Sequence, residues 1–411
     1  MSVVVALNVF AHAAVAANEV QAGAGRAAFV LPKGVPLAGY SKRQGRPSRG
    51  IHDAVGARAM VLRDGDAIVA LVSCDLLIVD EHLFDAVRRR LLAEGMPQAF
   101  VLILAGTHTH SGPGAYGTRF LEKISMGHFD PRVFDAIVQS ISQAVLRARA
   151  GLSPVRFTVL TTRTEGLVKN RVDPRGLTDP ELAVAAFYRE AEETPFAVLV
   201  NFAAHPTALG PWNRYVSADY PGVVTEMMER RFPGSTCLFF SGSVGDQAPA
   251  KAGIGFERSA WIGASLAQQV VALVEAAHPV PPTVLHAAQE EIALPPARVR
   301  LSPMLTLPRW IGQRLVDDDA TLSVLTVGNA VLFGVPCDLT AELGQQLKAA
   351  ARARGLEPMI IGFASDYIGY CVSRAFYERN RYETLMAFNG PTTGTLIVRQ
   401  LIQMLDQLGE R

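Results

Sequence analysis

Apolar runs rich in branched and aromatic residues alternate along this chain with segments of helical period. Strand-like runs fall at Ala59–Leu62, Ala67–Ser73, Phe100–Ala105, Val155–Thr161, Phe196–Ala203, Thr236–Phe240, Thr321–Val327, Val331–Val335 and Met359–Gly362. Between several of them the apolar spacing changes to three and four residues, which lines one face of a helix. Asp80–Glu94 puts Leu83, Phe84, Val87 and Leu91 on one face, and Asp130–Ala150 does so with Val133, Ile137, Ile141 and Val145. Glu257–Ala276, Ala341–Arg354 and Pro391–Leu408 repeat the pattern. Strands alternating with helices predict an α/β fold with a mixed β-sheet core flanked by helices. The Pro-rich stretches Val280–Pro282 and Leu294–Pro308 flank weak strand signals and predict a surface excursion placed to close over a site.

Composition narrows the class. With 411 residues, 49% hydrophobic and 19% charged, the chain can bury a large core and is globular rather than disordered. From Gln21 onward there is no low-complexity linker and no repeat of 20 to 50 residues, so a single domain over 21–411 is the simplest organisation. Thirty-nine basic against thirty-eight acidic residues leave a formal charge of +1, and the densest basic run (Lys42, Arg43, Arg46, Arg49) is short, which argues against nucleic acid as a partner. Cys74, Cys237, Cys337 and Cys371 are widely spaced, lack any CxxC pairing and read as small buried residues. No stretch reaches the ~20 apolar residues of a transmembrane helix. Residues 1–20 read as a signal peptide or an N-terminal extension. Val3–Ala17 is mostly apolar with Ala-x-Ala patterns, yet no Lys or Arg precedes Arg26, so a periplasmic or secreted location and a cytoplasmic one both stay open.

In open α/β sheets ligands bind beyond the carboxyl ends of strands, so polar residues just after an apolar run carry the candidate chemistry. Five places qualify: His108 and His110 after Phe100–Gly106; His205 after Phe196–Ala204; Asp246 after Thr236–Ser241; Asp338 after Val331–Cys337; and Asp366, Tyr367 and Tyr370 after Met359–Gly362. A hydrolytic zinc site needs about three nitrogen or oxygen ligands and an open position for water. His108, His205 and a carboxylate such as Asp338 can supply them. On an extended segment the HxH spacing puts both imidazoles on one side, one for the metal and the other toward substrate.

Five ordered motifs then carry a family resemblance. GTHTHSGPGAYG, FAAHPTALG, the GDQAP turn, VPCDLTAELG and ASDYIGYCVSRAFYERNRYETLMAFNGPTTG resemble the motifs of the neutral/alkaline (non-lysosomal) ceramidases, from about Gln21 to the C-terminus. The resemblance implies zinc and hydrolysis of the amide of an N-acyl lipid. It implies His108 and His205 as zinc histidines and His110 as an active-site residue. The family's glutamate ligand falls at Asp338, one methylene shorter, and its tyrosine ligand at Tyr370. The Asn-Arg pair of its INRSP segment is matched weakly by Lys169–Pro174, which brings in Arg171. Two departures stand out: the serine of the family's GDVSPN turn is Ala248 here, and after the GPTTG segment no counterpart of the family's C-terminal immunoglobulin-like domain is expected. Both put long-chain ceramide itself in question.

The remaining polar residues take plainer roles. Asp246 reads as a turn stabiliser; Asp366 and Tyr367 as pocket lining or structural hydrogen bonds; Asp75 as a cap or a pocket wall; and Arg374–Arg381 as a solvated face. SGSVG around Ser241 and Ser243 lacks the spacing of a nucleophile elbow. The expectation is a zinc hydrolase of a linear, lipid-like amide, with His108, His205, Asp338 and Tyr370 on the metal and His110, Arg171 and Tyr370 in the chemistry. Arg171 and the Leu294–Pro308 excursion are expected to shape the acceptor pocket. An esterase or lactonase using the same metal, a noncatalytic binding homologue and a homo-oligomer remain open alternatives.

Overall fold

In the computed structural model, which describes residues 19–302, 304–379 and 381–409, one supersecondary unit occurs three times. Each unit is a strand, an antiparallel hairpin, a helix, a strand parallel to the last, and a second helix. The first comprises β1 (Gln21–Ala28), β2 (Gly56–Asp64), β3 (Ala67–Cys74), α1 (Glu81–Ala93), β4 (Val101–Gly106) and α2 (Pro131–Ala150). The second comprises β5 (Ser153–Arg163), β6 (Glu181–Arg189), β7 (Ala197–Phe202), α3 (Asp219–Arg231), β8 (Thr236–Ser241) and α4 (Phe256–Glu275). The third comprises β9 (Leu285–Ala293), β10 (Asp319–Val327), β11 (Ala330–Val335), α5 (Ala341–Arg352), β12 (Glu357–Gly362) and α6 (Thr393–Gly409). In every unit the first three strands pair antiparallel and the last two parallel. A parallel pair needs a crossover, and α1, α3 and α5 provide it.

The first two units join edge to edge through only two residue pairs, Gln21 with Pro154 and Ala22 with Ser153. The order β8-β7-β6-β5-β1-β2-β3-β4 results, beside a separate sheet β9-β10-β11-β12. A central core takes Leu71 and Ile103 from the first unit, Phe187 and Leu199 from the second, and Leu332 and Ile361 from the third. The outer face of each sheet is covered by its own helix pair. Strands buried on both faces explain the long apolar runs in the sequence.

The repeating pattern hides two strands and a helix from a reading by residue type. β1 (QAGAGRAA) has neither branched nor aromatic side chains, because α2 lies directly on it. A Cβ on Gly23 would sit 2.2 Å from the Ala148 carbonyl oxygen, and one on Gly25 2.5 Å from that of Ala144. β6 and α3 escaped the sequence reading as well; α3 carries Pro221 and Gly222 in its first turn, where proline is tolerated. The weak strand signal after Val280–Pro282 is a full strand, β9. Of the expected N-terminal segment 1–20, residues 1–18 lie outside the described residues.

Candidate active site

Because the three units share one arrangement, the carboxyl ends of their parallel strands face a common region, and each contributes to it. His108 and His110 follow β4, His205 follows β7, Asp338 follows β11, and Tyr367 and Tyr370 follow β12. The connections are pinned by backbone bonds between units: Gly106 N–H donates to Phe363 O and Ser365 N–H to Leu104 O. His108 leaves β4 in left-handed backbone, φ 63°, not in the extended geometry assumed for the HxH segment. Its ring stacks on Phe363 at 3.7 Å and 4°. This stack fixes a conformation that non-glycine residues adopt uncommonly.

The three imidazoles converge: one ligand atom from each of His108, His110 and His205 lies within 4.8 Å of the others. Each Nδ1 lies against a backbone carbonyl: His108 on Leu77 O at 2.7 Å, His110 on Gly39 O at 3.1 Å, His205 on Val244 O at 3.2 Å. A carbonyl only accepts, so each Nδ1 carries the proton and each Nε2 presents a lone pair. His108 Nε2 stands 2.9 Å from that of His205 and 3.2 Å from that of His110. Burial lowers the His108 pKa to about 3 and holds those of His110 and His205 well below their usual value, so all three rings are neutral at physiological pH. Three lone pairs pressed together without a proton repel, and a cation among them removes the repulsion.

The carboxylate completes this donor set. Asp338 Oδ2 accepts from the Tyr367 hydroxyl at 2.8 Å. Its Oδ1 is buried without a hydrogen-bond partner, 3.5 Å from His108 Nε2 and 3.9 Å from His205 Nε2. Burial pushes the Asp338 pKa up to about 7 despite the Tyr367 bond and the nearby Arg171. An orphaned carboxyl oxygen facing imidazole lone pairs, which a bound cation would hold ionised, is the chemistry of a divalent-metal site, so these residues fit zinc. A two-residue parallel ladder aligns Asp338 with Tyr370. The Tyr370 hydroxyl accepts from Arg171 Nη2 at 2.8 Å, and the same nitrogen donates to Gly245 O at 2.8 Å. Glu383 lies 3.1 Å from Arg171 Nε as an ion pair. All six residues expected at the site therefore meet in one place.

His108, His110, Asp338 and Tyr370 line a cavity of about 120 Å3, whereas His205 stands behind them. Leu77, Ile78, Ile368, Met386 and Phe388 form apolar wall, and Arg119, Glu122 and Asp317 add a charged section. Tyr367 lines it as well as bonding Asp338, so both of its anticipated roles hold. The Leu294–Pro308 excursion contributes nothing to this wall, contrary to expectation; Leu315, Val316 and Asp317, which follow it in the chain, do. Asp75 is neither cap nor pocket wall; it accepts from Gly56 N–H and pairs with Arg58. Asp246 does stabilise its turn, accepting from Asn170, Gln247 and the Ala341 N–H. Arg374 and Arg379 are exposed as anticipated, over buried Phe376 and Tyr377.

A family model described as neutral/alkaline non-lysosomal ceramidase, N-terminal, matches residues 22–272. The chain belongs to this family. Similar ceramidases include the neutral ceramidase of Mycobacterium tuberculosis, 29% identical over 220 residues that make up 49% of this chain and 34% of that protein. The neutral ceramidase of Pseudomonas aeruginosa is 23% identical over an alignment covering 92% of this chain and 70% of that one. The chain spans about a third of the length of the first curated relatives it matches. The fold is like that of the crystal structure of neutral ceramidase from Pseudomonas aeruginosa, with a TM-score of 0.84 at 21% identity, covering 96% of this chain and 75% of that one. A ceramidase solved in complex with C2 gives 0.85 at 20% identity. Against this family background, Ala248 stands on a short strand paired with Lys169 and is not part of the cavity wall. Three supporting residues had escaped the sequence reading: Gly39 and Phe363, which hold histidines, and Arg43, which donates to His110 O and Gly210 O. Gly39 and Arg43 lie far from any strand end in sequence, and no motif marks them.

Proposed function

We propose that this chain is a zinc-dependent hydrolase that cleaves the linear amide of an N-acyl, ceramide-like substrate. The observation that carries the reading is the convergence of three neutral imidazole lone pairs with the unpartnered Asp338 Oδ1. His108, His205 and Asp338, with Tyr370 beside them, would hold the ion. Zinc in such a site supplies Lewis acidity, lowering the pKa of water and polarising an acyl carbonyl. His110, on the cavity side, takes a proton at Nε2 and returns it to the departing amine, while Gly39 O keeps its Nδ1–H oriented. Arg171 holds the Tyr370 phenol toward the reacting carbonyl. The apolar wall packs the acyl portion and keeps bulk water from it. A water nucleophile leaves no need for a hydroxyl at position 248.

The test is the metal content of the purified protein beside His108→Ala and Asp338→Ala, with hydrolysis of a panel of N-acyl amides, esters and lactones before and after chelation. The expected result is about one zinc per chain, lost in both variants together with amide hydrolysis. A metal-free, inactive protein that refuses added zinc would sink the reading.

A further inference from the structure

The segment between Ile292 and Val316 contains four arginines (Arg298, Arg300, Arg309 and Arg314) and no acidic residue, in a chain whose formal charge is only +1. It forms an antiparallel hairpin, Arg300–Ser302 with Leu305–Thr306, and a helical turn, Arg309–Gly312. Leu294 and Val299 anchor the segment by burial, whereas its other large apolar side chains include four that face solvent. Met304 is 97% exposed and Trp310 63%, with Leu301 and Leu305 also exposed between them. Arg309 and Arg314 are exposed too, and among the described residues neither forms an ion pair.

This surface continues around the mouth of the catalytic cavity. Leu315 and Val316, at the end of the segment, line the cavity, as does Tyr382, which is itself 61% exposed. The adjoining rim is the helix Phe120–Met126. Its Leu121 and Glu122 face the cavity while Phe120 and Ile124 are exposed, and Arg119 at its start pairs with Asp317. In the segment itself, solvent-facing aromatic and aliphatic side chains interleaved with arginine and without acidic residues match the headgroup region of a bilayer carrying anionic lipid; the acids of the adjoining rim are Glu122, which faces the cavity, and Asp317, which is paired with Arg119. A second copy of the chain is a poor occupant, because a two-fold contact would set the exposed Arg298, Arg309 and Arg314 against the same three of the other copy. No helix among the described residues is long and apolar enough to cross a membrane, so contact is with the bilayer surface. The cavity, about 120 Å3, is close to the ~150 Å3 that accommodates a benzene ring, so a long acyl chain must extend past the rim.

We infer that the excursion carrying Leu301, Met304, Leu305 and Trp310, together with Phe120 and Ile124, docks this protein on an anionic lipid bilayer with the cavity mouth against the membrane. The docking stands on exposure and charge. Only its use in delivering substrate rests on the proposed function.

Flotation of the full chain with phosphatidylcholine vesicles, with and without phosphatidylserine, tests it. The protein is expected to float with the anionic vesicles and to be released by salt. Arg309→Gln/Arg314→Gln is expected to weaken that partition about thirtyfold, from about fivefold per charge near an anionic surface. Met304→Ser/Leu305→Ser is expected to abolish it while hydrolysis of a soluble short-chain amide is unchanged. Val280→Ser, an exposed apolar site that pairs with Phe157 of β5, is expected to float like the parent. Parent protein that ignores both vesicle types, or hairpin variants that float equally well, overturns the inference. So does a dimer that the hairpin variant dissolves in the absence of lipid. Vesicle binding without hydrolysis would instead fault the proposed function alone.

Discussion

Replacing Asp338 by Asn separates the metal-binding role proposed for this carboxylate from its contribution to folding, because the two effects have opposite signs. In the metal-free protein Asp338 is buried with one oxygen unpartnered, and its pKa rises from 3.8 to about 7. The folded chain therefore holds a proton that the unfolded chain releases. Metal-free stability falls as pH rises from about 4 to about 7 and is level above that. At about pH 8 the difference amounts to about 4 kcal/mol, and at about pH 5 to about 2 kcal/mol. Asn is neutral, nearly isosteric and still accepts from Tyr367, so it removes this penalty. With an unfolding entropy of about 2 cal/mol/K per residue, the chelated variant is expected to melt roughly 5 °C above the chelated parent at about pH 8. About half that gap is expected at about pH 5. Added zinc reverses the order: it raises the parent's Tm, since a ligand of the folded state alone stabilises it, and leaves the variant nearly unmoved. Differential scanning calorimetry with and without chelator reads all four conditions. A chelated variant that melts below the parent would refute the desolvation argument. A variant that gains as much from zinc as the parent would remove Asp338 from the metal.

Gly39→Ala places a Cβ 2.6 Å from His110 Nδ1, at a backbone φ of 103° that side chains rarely adopt, so His110 must move. Amide hydrolysis is expected to fall at least about a hundredfold, while zinc content, read by atomic absorption, stays near that of the parent if His108, His205 and Asp338 hold the ion. Tyr370→Phe removes one of the acceptors of Arg171 but leaves the histidines and Asp338, so zinc should be retained while kcat drops about a hundredfold; an unchanged kcat would exclude the phenol from the chemistry. Asp219, buried at the start of α3, has its pKa raised to about 6 by burial, with Leu209 and Tyr220 N–H groups donating to it. The folded chain again binds the extra proton, so this group costs stability as pH rises from about 4 to about 6. Asp219→Asn should flatten that slope in chemical denaturation, and a slope equal to the parent's would point to other groups.

The strand ends were legible because chemistry and fold coincide there. An apolar run that stops at His108, His205 or Asp338 announces both a buried strand and a polar mouth, and reading those residues needed no tertiary knowledge. Local backbone was less accessible. The alternation in HxH suggests extended chain, whereas the Phe363 stack and the carbonyl of Leu77 hold His108 in left-handed backbone. β1 was invisible for a related reason: its glycines answer to the backbone of α2, more than a hundred residues away, and not to any strand propensity.

By itself the sequence determined the α/β class and most of the apolar strands and helices, and it singled out the histidine, carboxylate and tyrosine side chains proposed as donors, since hydrophobic period and side-chain chemistry are local properties. Only the tertiary structure decided that three successive units, each with the same strand pairing, bring those donors together around one core. It also decided which imidazole nitrogens carry protons, which carboxylate oxygen lacks a partner, and which apolar side chains remain outside. The physical reason is that lone-pair direction, desolvation and exposure are properties of neighbours in space. Here the neighbours of His108 are contributed by residues about 30, 100 and 230 positions away.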